Sequence, residues 1–319
     1  MKIKPLLILA AMVGCRFVAI SPVLAQIRLV NSLPSPSPSS GAAPSGVTAQ
    51  LQALQAKVEI RKTAAEGKGP PANSHKAWAD IVQAFDSLLA AHKNEKTDAV
   101  AQVALAKAML YAGVQHGGVF YQWDICVAQL KEVVKDYPGT PTARQATQLV
   151  QEYQADADYL AARRQLVGQP MPDFHVRDYE GRPLSPAGFK GKVVLLDYCG
   201  PGCPGCLLEM PGIANLYGQY RAQGFEVIGV CWASSFQGGG SIKANLSAFL
   251  QAHDMTWPVF CDGAPPPGGR FGQNELFQKL CVGAVLPDNY LVGRDGKIVG
   301  MDLKGDDLDD AVAKALAAK

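Results

Sequence analysis

The stretch DYCGPGCPGCLLEMP (Asp197–Pro211) sets Cys199, Cys203 and Cys206 within eight residues, with only Gly and Pro between them. Three close thiols suit a soft-metal site, a nucleophile with partners, or a dithiol that cycles between reduced and oxidised forms. The flanks separate these readings. Lys192–Tyr198 (KVVLLDY) is a short apolar run of buried-strand type, and a helix is expected from near Cys206. A C-x-x-C pair at a strand-to-helix turn reads as a redox dithiol. The first cysteine then lies at a helix N-terminus, where unpaired N–H groups and the macrodipole favour a thiolate. Two intervening residues let the second sulfur reach back and resolve a mixed disulfide. Cys203 is the expected nucleophile and Cys206 the expected resolving thiol.

Outward from this turn, strand and helix patterns alternate. GFEVIGVCW (Gly224–Trp232) is a second strand run, followed by a helix expected across Ala244–His253. TWPVFC, NYLV and KIVG follow, with RDGK (Arg294–Lys297) as the hairpin signal between the last two. LDDAVAKALAAK closes the chain as a helix. Such alternation implies an α/β sheet covered by helices.

Residues 47–165 have a different pattern. HKAWADIVQAFDSLLAAH places Trp78, Ile81, Val82, Phe85, Leu88 and Leu89 on one stripe at spacings of three and four. Further helical runs follow, broken at YPGTP, where Pro and Gly stop one helix and Thr142 is expected to cap the next. An all-α helical module is expected here, resembling tetratricopeptide-like helical pairs over about Asp98–Tyr159. It would serve as a spacer or offer a surface to a protein partner.

The first residues bear on compartment. MKIK is a positive n-region, PLLILAAMVG an apolar run, and VLA before Gln26 resembles a signal-peptidase site. Arg16 interrupts the apolar run, which argues against a spanning helix of about 20 residues. MVGC also resembles a lipobox with Cys15 as the lipidated residue. Residues 1–25 are therefore expected to be an export signal, or a lipoprotein signal ending before Cys15, and the body periplasmic or otherwise exported. Pro/Ser-rich residues 26–46 read as a linker. A net charge of +2 with no basic block excludes nucleic acid as the main partner.

From about Val167 onward the chain resembles the thioredoxin-like family of TlpA and ResA type, the membrane-associated thiol–disulfide oxidoreductases. The resemblance rests on VGQPMPDF, GKVVLLDY, the dithiol with EMP behind it, GFEVIGV, WPVFCD, LPDNYLV and RDGKIVG, in that order. It implies a thioredoxin-like α/β C-terminal domain over residues 166–319. The implied activity is exchange of a Cys203–Cys206 dithiol with protein thiol/disulfide clients, with a membrane electron donor and no cofactor. By position it also implies that Pro287 is the cis-proline facing the disulfide. Asp197, six residues before Cys203, would be the buried acid that moves protons for the resolving thiol, and Glu209 an acid near the dithiol. Where the family has Trp, Gly-Pro and a basic residue, this chain has Gly202, Pro204-Gly205 and Leu207-Leu208. Pro after the first cysteine resembles glutaredoxins and DsbA, which leaves the direction of electron flow open.

Cys199 fits neither role of the dithiol. Cys199-Gly-Pro-Gly-Cys203-Pro resembles the copper motif of Sco-type proteins, but Pro287, Asp288 and Asn289 stand where the third ligand, His, would lie. His253, the one histidine downstream of the cysteines, is expected to end a helix facing solvent. A copper chaperone is the alternative in another class, as is a helical-repeat binding protein with a secondary redox domain. Zinc lacks a second ligand pair. A peroxiredoxin would have Thr or Ser three residues before its cysteine, and Gly200 stands there. Cys199 otherwise reads as a small buried residue or as a third thiol that exchanges with the dithiol. Cys231, Cys261 and Cys281 lie at or near strands, and a Cys231–Cys261 bridge is one pairing that spacing leaves open. Cys126 is expected to be buried and free. Gly238–Ser241 and Gly263–Gly272 read as loops.

Overall fold

A computed structural model describes residues 46–65, 74–112, 119–201, 203–232, 241–262, 276, 279–280 and 287–318. The leader with Cys15, the Pro/Ser-rich tract, the Gly238–Gly240 and Gly263–Gly272 loops, Cys281 and Leu286 lie outside the described residues. Five helices come first: α1 (Gly46–Ala65), α2 (His75–Ala91), α3 (Asp98–Met109), α4 (Trp123–Asp136) and α5 (Pro141–Arg164). The expected stripe on α2 points inward, with Trp78, Ile81, Phe85 and Leu88 buried. These residues share one apolar core with Val100, Val103, Leu130, Val133, Tyr153 and Leu160. Cys126 is fully buried and free, and burial pushes its thiol up to about 12. The cap of α5 differs from expectation. Thr140, not Thr142, accepts from the Ala143 N–H (3.1 Å), because Pro141 occupies the first helical position and needs no donor partner.

The second half begins with a small hairpin, β1 (Val176–Arg177) and β2 (Pro183–Leu184), closed by Asp178, which accepts from the Glu180 and Arg182 N–H groups. A five-stranded sheet follows: β3 (Val193–Cys199), β4 (Phe225–Trp232), β5 (Val259–Asp262), β6 (Asp288–Val292) and β7 (Ile298–Met301). Its order is β5-β4-β3-β6-β7. Strands β3, β4 and β5 run parallel and β6 and β7 antiparallel to their neighbours. Helix α6 (Pro204–Tyr220) links β3 to β4, α7 (Ile242–Ala252) links β4 to β5, and α8 (Asp306–Ala317) closes the chain. The RDGK turn forms as expected, with Gly296 at φ +79° and the Gly293 N–H bonded to the Lys297 carbonyl (2.8 Å). Beyond β7, the segment around Pro170 pairs with the strand through Gly168 and Gln169, so this edge is covered.

Central strand β3 is buried along its whole length, so both its faces meet apolar layers. Its period of two sends Val193, Leu195 and Cys199 into the layer that holds α6, and Val194, Leu196 and Tyr198 into the opposite one. Asp197 shares the α6 face with Leu195 and Cys199. The fold is thus thioredoxin-like with a mainly helical N-terminal region. Among the described residues no helix is long and apolar enough to cross a membrane.

Candidate functional site

Strand β3 ends at Cys199 and α6 starts at Pro204, so Cys203 is the residue that caps the helix. The turn between them closes through the Cys203 N–H and the Gly200 carbonyl (3.0 Å). At the cap, the Cys203 sulfur accepts from the Cys206 N–H (3.1 Å) and is bonded to the Cys206 sulfur. The first cysteine therefore sits where the orphan N–H groups converge, as the spacing implied. Cys203 is 9% exposed and Cys206 2%, so the first sulfur is the more accessible one.

Pro287 lies directly over this turn. A Cβ built on Gly205, between the two cysteines, would stand 2.9 Å from Pro287 Cδ. Only glycine lets the proline loop approach the helix N-terminus this closely. The cis bond expected at Leu286–Pro287 lies outside the described residues.

Two acids stand behind the disulfide. Glu209 is three residues after Cys206, on the same inward stripe of α6 as Cys206, Met210, Ile213 and Leu216. It is in the second helical turn and buried; burial raises it to about 8, against the pull of Lys304. Asp197 is 2% exposed, and burial raises it to about 7. Its thiol neighbour on the same strand face is Cys199, which favours the carboxylate. Both acids can change protonation near neutral pH.

Three residues that shape the site's surroundings escaped the sequence reading. Arg163, in the last turn of α5, is 4% exposed. Its Nε donates to the Tyr290 hydroxyl (2.8 Å), which in turn donates to the Leu280 carbonyl (2.6 Å), and its other arm is paired with Asp288. Asp288 immediately follows Pro287. Burial raises its carboxyl while Arg163 favours the charged form, and among the described residues its Oδ2 atom has no hydrogen-bond partner. A basic pair ending a helix ordinarily suggests a solvated complement to the dipole, so no sequence signal marked Arg163 as internal.

The third missed residue is the partner of Cys199. Cys231 stands directly opposite Cys199 in the β3–β4 ladder, and the two sulfurs are 3.7 Å apart, both buried. The thiol of Cys231 thus faces Cys199, although Cys261 is its register neighbour on the other side. His253 caps α7 half-buried, with its ring over Phe249 (4.8 Å between centroids), and does not face solvent freely. Among the described residues no group of three or more His, Cys, Asp or Glu could hold a metal ion.

A thioredoxin-like sheet, a two-residue disulfide at a helix N-terminus and a proline laid against it define a thiol–disulfide oxidoreductase. Residues 167–301 match the AhpC/TSA family. Thiol-disulfide oxidoreductase ResA of Bacillus thuringiensis is 30% identical over 140 residues, 44% of this chain and 70% of that protein. The Bacillus subtilis ResA is 26% identical over 132 residues, 41% of this chain and 64% of that one. The solved thioredoxin domain of a thiol-disulfide oxidoreductase from Bacteroides vulgatus is also similar, at 26% identity and TM-score 0.38, covering 46% of this chain and 96% of that one. The chain belongs, through its C-terminal half, to the ResA-like thiol–disulfide oxidoreductases.

Proposed function

We propose that this protein is exported and reduces disulfides in protein clients through Cys203 and Cys206. The observation that supports this most is the Cys203 sulfur at the cap of α6, bonded to Cys206 and faced by Pro287 across Gly205. In the reduced enzyme the helix N-terminus stabilises the Cys203 thiolate. That thiolate attacks a client disulfide, forming a Cys203–client bond and expelling the client's second sulfur. Cys206 then loses its proton and attacks the Cys203 sulfur, which releases the reduced client and restores the Cys203–Cys206 disulfide. A carboxylate must take that proton inside an apolar layer. Asp197, raised by burial to about 7, is suited to accept and return it near neutral pH, and Glu209, raised to about 8, on the alkaline side. Pro287 would flank the incoming client chain.

A membrane electron donor would return the disulfide to the dithiol, and the MKIK leader with its apolar run supports an exported location. The helical module takes part through Arg163, which braces the residue after Pro287. The test is mixed-disulfide trapping in the exported chain. Cys206→Ser should accumulate covalent client complexes, Cys203→Ser should not, and both should lose insulin reduction. Retention of insulin reduction in both variants would defeat the proposal. Equilibration with glutathione sets the direction: a pair that stays oxidised against millimolar glutathione has a low potential and acts, once reduced, as a reductant, and one reduced by glutathione acts as an oxidant.

A further inference from the structure

Cys199 and Cys231 take no part in the cycle above, yet their sulfurs are 3.7 Å apart on neighbouring strands. We propose that they form a second dithiol that passes its electron pair to the Cys203–Cys206 disulfide, so that one chain stores four transferable electrons. This rests on reading Cys203–Cys206 as an active disulfide.

Geometry permits the second bond. The two residues are direct register partners on parallel strands, where Cα atoms stand about 4.8 Å apart. Disulfides form at Cα separations of roughly 4.4–6.8 Å, so a Cys199–Cys231 bond needs side-chain rotation and no change of register.

Burial decides what can oxidise the pair. Cys199 is 1% exposed and Cys231 0%, so dissolved disulfides do not reach them. The hydrogen bond to Cys231, burial and Asp197 together hold the Cys199 thiol well above the usual range. A buried thiol with no base and no oxidant is inert. Here both are present. The base is Asp197, two residues before Cys199 on the same face of β3, whose charged form Cys199 favours. The oxidant is the Cys203–Cys206 disulfide, which belongs to the same buried layer as Cys199 and Cys231. One closed turn, from Gly200 to Cys203, separates it from Cys199 in the chain.

The exchange balances. Asp197 takes the proton of Cys199, and the thiolate attacks the Cys206 sulfur. A Cys199–Cys206 bond forms, the Cys203–Cys206 bond breaks, and Cys203 leaves as the thiolate that the helix N-terminus stabilises. Asp197 returns its proton to the emerging Cys203 thiolate. Cys231 then attacks the Cys199 sulfur as its proton passes to the departing Cys206. Two electrons and two protons have moved from the inner pair to the outer one. The inner pair is oxidised to a disulfide, and the outer pair is reduced and ready for a second client.

Peptide mapping of the full-length chain tests this. Tryptic fragment Val193–Arg221 carries Cys199, Cys203 and Cys206, and the next, Ala222–Lys243, carries Cys231. When reduced protein is equilibrated with excess glutathione disulfide, these fragments should become covalently linked. The link should vanish in Cys199→Ser. In Cys231→Ser a Cys199–Cys206 bond should accumulate instead, read by fragmentation within Val193–Arg221. The Cys203→Ser/Cys206→Ser double variant should form the link at least about tenfold more slowly, since its internal oxidant is gone. The proposal is overturned if the wild-type fragments stay separate while Cys203–Cys206 closes, if the double variant links as fast as wild type, or if Cys231 links to the Cys261 fragment. The wild-type result needs no variant to fold. Failure of the wild type to reduce insulin would instead refute the reading of Cys203–Cys206 itself.

Discussion

Arg163, the penultimate residue of α5, is buried against Asp288, the residue that follows Pro287. The matched family segment begins at residue 167, so the cation comes from outside it and braces the loop that faces the disulfide. The pair is not isolated. Tyr290 accepts from the same guanidinium, whose carbon lies 5.2 Å from the Tyr290 ring centroid and 5.8 Å from that of Tyr159. The charges of Asp302 and Lys304, from the segment after β7, also act on Asp288, the first raising it and the second lowering it. The Asp288 charge in turn raises Asp197 and Glu209.

Removing only the cation should therefore be costly. Arg163→Met leaves Asp288 buried without its counter-charge and should lose about 3 kcal/mol, in line with other broken buried pairs. Asp288→Asn in the same chain should recover much of that loss. Urea unfolding of the two single variants and the double variant gives the coupling; simple additivity would show that the pair does not act as a unit. Arg163→Lys should restore stability in part, because one ammonium cannot serve both Asp288 and Tyr290.

Gly205→Ala places a methyl 2.9 Å from Pro287 Cδ. The proline loop must retreat or the helix N-terminus must shift, at about 1–3 kcal/mol for such overpacking. Insulin reduction should fall at least about tenfold, with the Cys203–Cys206 disulfide still able to form. Unchanged turnover would mean that the close approach of Pro287 is incidental.

Asp197 links pH to stability. Burial raises its carboxyl from the ordinary carboxylate range to about 7, so between about pH 4 and 7 the folded chain holds a proton that the unfolded chain has lost. Its contribution is fully present below the unfolded value and is lost as pH rises through the folded one. Asp197→Asn, which carries no charge to bury, should match wild type within about 1 kcal/mol at pH 4. It should exceed wild type by about 2–4 kcal/mol at pH 8.5. Denaturant midpoints at the two pH values provide the check, and equal differences at both would show an ordinary exposed carboxyl.

Glu209, raised by burial to about 8, is neutral over most of the physiological range and ionises on the alkaline side. Glu209→Gln removes that ionisation. The pH profile of client reduction should lose its limb near pH 8 and the rate should fall about tenfold or more, the lower part of general acid–base effects, since Asp197 remains. A profile that keeps the limb would assign it to another group.

The strand–turn–helix around Cys203 was legible because every signal in it is local. The apolar run of β3, the Pro and Gly that break it and the stripe of α6 all lie within 30 residues. Thr140 shows how a local reading slips by two positions. Thr142 was an acceptable cap by residue type, but Pro141 claims the first helical position and moves the cap before it. Glu209 was picked out by the family resemblance, and its depth follows from lying on the same stripe as Cys206.

The sequence by itself determined where the Cys203–Cys206 pair sits, because a helix N-terminus and two intervening residues are properties of a short segment. Only the tertiary structure decided which sulfur faces Cys199 and which charge faces Asp288. Cys231 meets Cys199 because strands β3 and β4 pair in one register, and a slip of one residue would turn either thiol to the opposite face of the sheet. Arg163 meets Asp288 across 125 residues because α5 runs its last inward position onto β6. Such contacts arise from packing between segments distant in the chain, and no periodicity within either segment encodes them.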